Sequence, residues 1–353
     1  MLLRTAHKEY QEKLFEQQQM YESGEFFKRI AAAFSRMPNA RRLEIRDKWH
    51  MSKWDGEWIT KGIINSQKLV DQCLVDEFIM RPNRWDEIIQ QNLGHPPVEL
   101  LVKLPQAIHQ AGVFLEDIDI HQSLPHVVSA LSQDFNDLRD LTAAVQKLKY
   151  FEFISKSSRS LREGPWDNDD RDHVRHIRDF LHAMINTSSL RTVSVAASCR
   201  SGIETGAVFF DTGCAFFHNF WPNLRNLIVE SSSFHLNELD GLIKDTKGPL
   251  SYLSLCNPHL LSGTWAEALD ILRTKPATEC AALEDPTGAE CETLSVEDYN
   301  AIFERPEGVE HNQGSKAEKY IRGLPVPNPL RELDAEYAEA DILQDSESEN
   351  LED

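Results

Sequence analysis

Apolar residues return on one frame, Leu-x-x-apolar-x-apolar, six times along the chain, each time after a stretch whose own apolar spacing is helical. The copies are Ala40-x-x-Leu43-x-Ile45, with a weakened first position, then Leu115-x-x-Ile118-x-Ile120, Leu148-x-x-Phe151-x-Phe153, Leu190-x-x-Val193-x-Val195, Leu224-x-x-Leu227-x-Val229 and Leu250-x-x-Leu253-x-Leu255. Alternation at i and i+2 predicts a half-buried strand, and the i, i+3, i+4 spacing before it predicts an amphipathic helix. The copies end at 45, 120, 153, 195, 229 and 255, so they are spaced by 75, 33, 42, 34 and 26 residues. After the long first gap, each spacing suits a unit of one helix and one strand. Such a unit cannot bury its own helix face, so neighbouring units must stack. The expected fold is therefore α/β, a solenoid of helix-strand units with parallel strands over residues 1–330.

The rest of the chain is placed around those units. Residues 3–36 read as helix, with Tyr10, Leu14, Gln18 and Tyr21 on one face and Phe26, Phe27, Ile30 and Phe34 on another after Gly24. Met37-Pro38-Asn39 stops that helix, because proline lacks a donor and restricts its predecessor. Residues 48–97 break the rhythm and read as an insertion carrying Trp49, Trp54, Trp58 and Trp85, with short helices near 65–80 and 85–92. Helices are predicted at 98–111 (ended by Gly112), 135–148, 174–185, 206–217, 236–244 and 265–272. Residues 155–172 read as a polar loop, and 274–315 as an irregular extension containing a short helix capped by Ser295. The units are longer and less even than leucine-rich repeats, and the Asn or Cys expected after the strand is approached only by Asn257 and Cys199. The architecture is accordingly an irregular leucine-rich-repeat-like solenoid. From Arg331 to Asp353 ten acids stand against one Arg, and such a tail is expected to be disordered.

Composition narrows the function classes. A net charge of -20 argues against nucleic acid, whose phosphates demand a basic face. No run of apolar residues is long enough to span a membrane, and the N-terminal residues lack a signal-peptide core. The six cysteines, at 73, 199, 214, 256, 280 and 291, form no C-x-x-C pair, which suits a reducing cytoplasmic or nuclear setting.

Three phrases carry a family resemblance: AFSRMPNARRLEI from Ala33, FWPNLRNLIVESSS from Phe220, and GPLSYLSLCNPHLLSGTWAEALDIL from Gly248. With their helix leading into Pro-Asn and a strand, and Gly263-Thr264-Trp265 before a later helix, they resemble the leucine-rich-repeat-like region of fungal F-box proteins. The resemblance covers most of residues 24–330 and no F-box is recognised. It implies a substrate-recognition subunit of a ubiquitin ligase, with a ligase adaptor as partner.

The residues themselves point first to a noncatalytic scaffold that binds a protein of basic or polar character on the strand face. The expected contact residues are Glu44, Arg46, Asp117, Asp119, Glu152, Arg191, Ser194, Asn226, Ile228, Ser251 and Ser254. Reversing Asp117 and Asp119 together is expected to weaken binding without unfolding the protein. No cofactor is expected, since no phosphate loop, dinucleotide fingerprint, nucleophile elbow or zincin motif is spelled out. One cluster could hold a metal or support a metal-dependent enzyme: within 167–176, Asp169-x-x-x-His173 and Asp172-x-x-x-His176 share a helix face. The alternative reading of that cluster is acids favouring a helix N-terminus. His109, His121 and His126 read as surface or satisfied core residues. Ser346 and Ser348 lie in an acidic context that an acid-directed kinase accepts.

Overall fold

The computed structural model describes residues 2–47, 85, 97–122, 131, 135–157, 168–199, 208–211, 216, 220–275, 279–305, 314–335 and 337. The polypeptide is a mixed α/β structure. Its helices are α1 (Leu2–Glu22), α2 (Glu25–Ser35), α3 (Leu100–Gln110), α4 (Phe135–Ala144), α5 (Asn168–Ile185), α6 (Leu236–Asp245), α7 (Trp265–Arg273), α8 (Val296–Phe303) and α9 (Lys316–Ile321). Its strands are β1 (Arg42–Arg46), β2 (Asp117–Gln122), β3 (Tyr150–Ser157), β4 (Thr192–Cys199), β5 (Val208–Asp211), β6 (Asn226–Glu230), β7 (Ser232–His235), β8 (Tyr252–Cys256), β9 (His259–Ser262), β10 (Cys280–Glu284) and β11 (Thr287–Gly288). Among the described residues, no helix is long and apolar enough to cross a membrane.

Seven strands pair in parallel in the order β1-β2-β3-β4-β6-β8-β10, and the sheet remains open. The register superimposes the repeat frame on itself. Leu43, Ile118, Phe151, Val193, Leu227, Leu253 and Ala281 form one column across the sheet. Ile45, Ile120, Phe153, Val195, Val229, Leu255 and Leu283 form the next. All fourteen are buried. A one-residue slip would turn every one of them to the other face, so burial fixes the register. Each fully buried aromatic or branched side chain contributes roughly 1.5–3 kcal/mol.

Helices cover the face onto which these columns point, and neighbours touch in the orders α2-α3-α4-α5 and α6-α7-α9. They bury stripes at helical spacing: Leu101, Val102, Leu104 and Ile108 on α3, Ile177, Phe180, Leu181 and Met184 around α5, and Leu239, Leu242 and Ile243 on α6. Phe153 from the sheet meets Phe180 from α5 with ring centres 6.0 Å apart. Units are also tied by side chains: the Trp221 indole donates to the Ile185 carbonyl at 2.8 Å, and Asn223 donates to Ser188 at 3.0 Å.

A second parallel ladder, β5-β7-β9-β11, runs beside the first. In the last three units a single left-handed residue turns the chain from one ladder to the other: Ser231 (φ 55°), Asn257 (φ 49°) and Asp285 (φ 50°). Short polar side chains tolerate that conformation best after glycine. The corners stack as the strands do, since Ser231 N–H donates to Cys256 at 2.8 Å and Asn257 N–H to Glu284 at 2.7 Å.

Several sequence expectations are corrected. The single helix over 3–36 is two helices, broken where Gly24 adopts φ 72°. The helix expected over 206–217 contains strand β5, because Val208-Phe209-Phe210 finds partners in β4 and β7. The polar loop over 155–172 is shorter than expected: β3 continues to Ser157 and α5 begins at Asn168. The repeat does not stop at Leu272. A seventh strand, β10, pairs with β8 with Ala281 and Leu283 in the core columns. The acidic segment does not begin disordered at Arg331. Residues 329–335 are helical, and Arg331 pairs with Asp270 at 2.7 Å. The helices expected within the 48–97 insertion, and Trp49, Trp54 and Trp58, lie outside the described residues. Trp85 is buried, its backbone N–H donating to the Asp47 carboxylate at 3.1 Å.

Candidate functional site

The strand positions between the core columns form the opposite face of the sheet, in three columns of their own. The first holds Arg42, Asp117, Tyr150, Thr192, Asn226, Tyr252 and Cys280. The middle one holds Glu44, Asp119, Glu152, Ser194, Ile228, Ser254 and Ala282, and the third Arg46, His121, Ile154, Ala196, Glu230, Cys256 and Glu284. The middle column changes character along the sheet. It is charged over β1–β3 and small or neutral over β4, β6, β8 and β10.

The expected contact residues fall on this face in nine of eleven cases: Glu44, Arg46, Asp117, Asp119, Glu152, Ser194, Asn226, Ile228 and Ser254. Arg191 and Ser251 do not. They precede their strands and share the two-residue parity of Val193 and Leu253 in the core column. A further correction concerns exposure. Asp119, Ser194 and Ser254 are buried, at 2%, 7% and 4% exposure. Each is a short side chain on a central strand with neighbours about 4.8 Å away on both sides.

The charged end is a network centred on Asp119. Its Oδ2 accepts from Arg42 at 2.9 Å and Arg46 at 3.2 Å. Arg46 also pairs with Glu44 at 2.5 Å. Asp119 Oδ1 lies 2.7 Å from His121 Nε2, which lies 3.7 Å from Glu152 Oε1. The other Glu152 oxygen accepts a hydrogen bond from the Tyr150 hydroxyl. Burial, and then this bond to a carboxylate, push the Tyr150 hydroxyl well above the ordinary phenol range. Asp119 Oδ1, His121 Nε2 and both polar atoms of the Gln122 side chain are buried without hydrogen bonds. Asp119, His121 and Glu152 are the one group among the described residues whose His, Cys, Asp or Glu ligand atoms converge closely enough to hold a metal.

No family model, curated protein or solved structure matches this chain.

Arg42, His121 and Tyr150 are the members of this network that sequence reasoning passes over. The signal is present: Arg42 and Tyr150 stand two residues before Glu44 and Glu152, and His121 two after Asp119, so strand parity puts all of them on one face. The other candidate cluster is placed differently. Asp169, Asp172 and His173 stand on α5, with side chains outside the described residues, and His176 is half-buried on the same helix. Ser346, Ser348 and His126 also lie outside the described residues.

At the far end of the face Cys256 approaches Glu284 at 3.6 Å. Burial and the neighbouring carboxylates push this thiol up, despite a hydrogen bond with Ser254, which makes it a poor nucleophile. Away from the face, a cleft of about 470 Å³ opens between Thr264, Glu267, Glu290, Ser295, Arg331 and Tyr337. Two of its three acids are engaged in helix starts: Glu267 completes the Thr264 cap of α7, and Glu290 accepts the Ala266 N–H at 2.7 Å.

Proposed function

We propose that the chain is a leucine-rich-repeat-like solenoid acting as a noncatalytic protein-interaction scaffold, with the face of the sheet away from the helices as its contact surface. One observation carries this reading: seven in-register strands present three continuous side-chain columns on that face, polar over most of their length. A ladder of this kind supplies a long, preformed surface whose backbone is already ordered, so a partner incurs little additional ordering cost in the scaffold. The acids on it, Glu44, Asp117, Glu152, Glu230 and Glu284, favour a partner with a basic or polar surface.

The test reverses charge at exposed or half-buried face positions rather than at buried Asp119, whose removal would take a shared acceptor from two guanidiniums. Asp117→Lys with Glu230→Lys is the variant. Tagged wild-type and variant chains are recovered from the native host and their bound proteins compared quantitatively by mass spectrometry. Loss of a defined set of proteins in the variant, at unchanged melting temperature, supports the reading. Cullin-type ligase subunits in that set would make the scaffold a degradation adaptor, as the family resemblance implies. An identical set bound to both chains would sink the assignment of this face.

A further inference from the structure

We propose that Asp119, His121 and Glu152 form a binding site for a divalent cation of the zinc class at the charged end of the strand face. The inference rests on this cluster alone and does not depend on the scaffold reading. The three ligand atoms lie within 4.8 Å of one another. Ligands around a tetrahedral zinc, at about 2.0–2.2 Å from the ion, stand roughly 3.4 Å apart. The separations of 2.7 Å and 3.7 Å straddle that value, so small side-chain rotations complete the set.

Each carboxylate has one oxygen held and the other turned inward. Arg42 and Arg46 hold Asp119 Oδ2, leaving Oδ1 toward His121. Tyr150 holds Glu152 Oε2, leaving Oε1 toward the same imidazole nitrogen. This is the division of labour that outer partners perform at metal centres, orienting ligands without competing for the ion. Asp119 Oδ1 and His121 Nε2 are buried and face each other at 2.7 Å without the alignment of a hydrogen bond, an arrangement that native proteins seldom leave uncompensated. A cation between them would satisfy both.

The charge balance agrees. Glu44, Asp117, Asp119 and Glu152 face Arg42 and Arg46, leaving two negative charges in excess. His121 and Glu152 keep 22% and 19% of their side-chain surface exposed, so an ion can enter from the face and retain an outward position for water or a partner's side chain. One imidazole and two carboxylates suit a borderline metal. They are too few and too mixed for calcium, which takes about 6–8 oxygens, and offer magnesium a nitrogen it does not favour.

Calorimetry of the full chain, stripped of metal by chelation, tests the site with zinc chloride, and with magnesium and calcium chlorides as comparisons. The expected result is one saturable zinc site of micromolar affinity or tighter, with at least ten-fold weaker binding in both His121→Ala and Glu152→Gln. Folding of the variants is checked by circular dichroism and melting. Absence of saturable zinc binding in the wild-type chain would overturn the proposal. So would an affinity unchanged in both folded variants, which would put the ion at other histidines. Should a variant fail to fold, the wild-type chain decides. Zinc is expected to protect His121 from acylation by diethyl pyrocarbonate, mapped by peptide mass spectrometry, and equal modification with and without zinc refutes the site.

Discussion

The Glu318 carboxylate accepts the backbone N–H of Leu283 at 3.1 Å. Leu283 lies on β10, which pairs with β8 on one side, and α9 brings Glu318 against the other. The same carboxylate takes the Ser315 N–H at 2.8 Å and the Arg305 guanidinium at 2.7 Å, and the residue is 1% exposed. A strand edge with free N–H groups invites pairing with another chain. Here a buried, fully engaged carboxylate occupies part of that edge. Glu318→Ala is expected to reduce unfolding stability by about 3 kcal/mol, because it leaves two buried N–H groups without their acceptor and the Arg305 guanidinium with Glu284 alone, at 3.3 Å. Glu318→Gln, which retains an acceptor oxygen, is expected to cost less. Urea denaturation measures both, and a loss no greater than that of the surface change Glu297→Ala would count against this account.

Trp221 joins two units. It is fully buried, its ring stacks edge-on against Phe216 at 6.3 Å, and its N–H satisfies the Ile185 carbonyl at the end of α5. Trp221→Phe removes the donor and is expected to cost about 2 kcal/mol. Trp221→Ala adds a cavity and is expected to cost roughly 3–5 kcal/mol. Equal losses for the two variants, read from denaturant midpoints, would show that the hydrogen bond and not packing dominates.

Gly288 ends β11 with φ 80°, and a β-carbon there would come within 2.4 Å of the Leu260 carbonyl oxygen. That oxygen belongs to the backbone of β9 and cannot swing aside. Gly288→Ala is therefore expected to destabilise by about 2 kcal/mol or more. Gly112 provides the control: it has a similar φ of 81° but open space within 4 Å of the point where a methyl group would stand, so Gly112→Ala isolates the backbone strain. Equal losses at both positions would mean the close approach contributes nothing.

The C-terminal helical segment docks through Asp270 on α7. Burial pushes this carboxyl up, but hydrogen bonds from Tyr320 at 2.6 Å, Asn328 at 2.8 Å and Arg331 at 2.7 Å outweigh it and hold the pKa below the ordinary carboxylate value. A group depressed in the folded state contributes its stability above the unfolded pKa, near 3.9, and loses it as pH falls through the folded value. The stability gap between wild type and Asp270→Asn is thus expected to be full at pH 7 and to shrink below about pH 4. Urea midpoints measured from pH 7 down to pH 3 follow it, and a gap that stays constant would show that Asp270 does not titrate in this way.

The repeat frame was legible because burial repeats with the strand: Leu43, Ile118 and Phe151 need the same environment, so the same residue class recurs at the same place. The seventh strand was hidden for the same reason. Ala281 fills a core position with a side chain too small to stand out as apolar periodicity, and it is the pairing with Leu253 that reveals it. The second ladder was missed because β7, β9 and β11 are two to four residues long, shorter than any alternation that can be distinguished from chance. In the candidate site, parity puts Asp119 and Glu152 on the same face of the sheet, whereas His121 reads as a surface or satisfied core residue.

By itself the sequence determined the class of unit, helix then strand, and which strand residues point into the core, since both follow from local periodicity and the free energy of burying apolar surface. Tertiary structure alone decided what meets across the strands. His121 comes to lie between Asp119 and Glu152, and Glu318 comes to lie on Leu283, through pairings between segments separated by 31 and 35 residues. No local pattern encodes such contacts. Register and the stacking of units create them, and register is fixed by the sum of many buried side chains rather than by the polar residues it brings together.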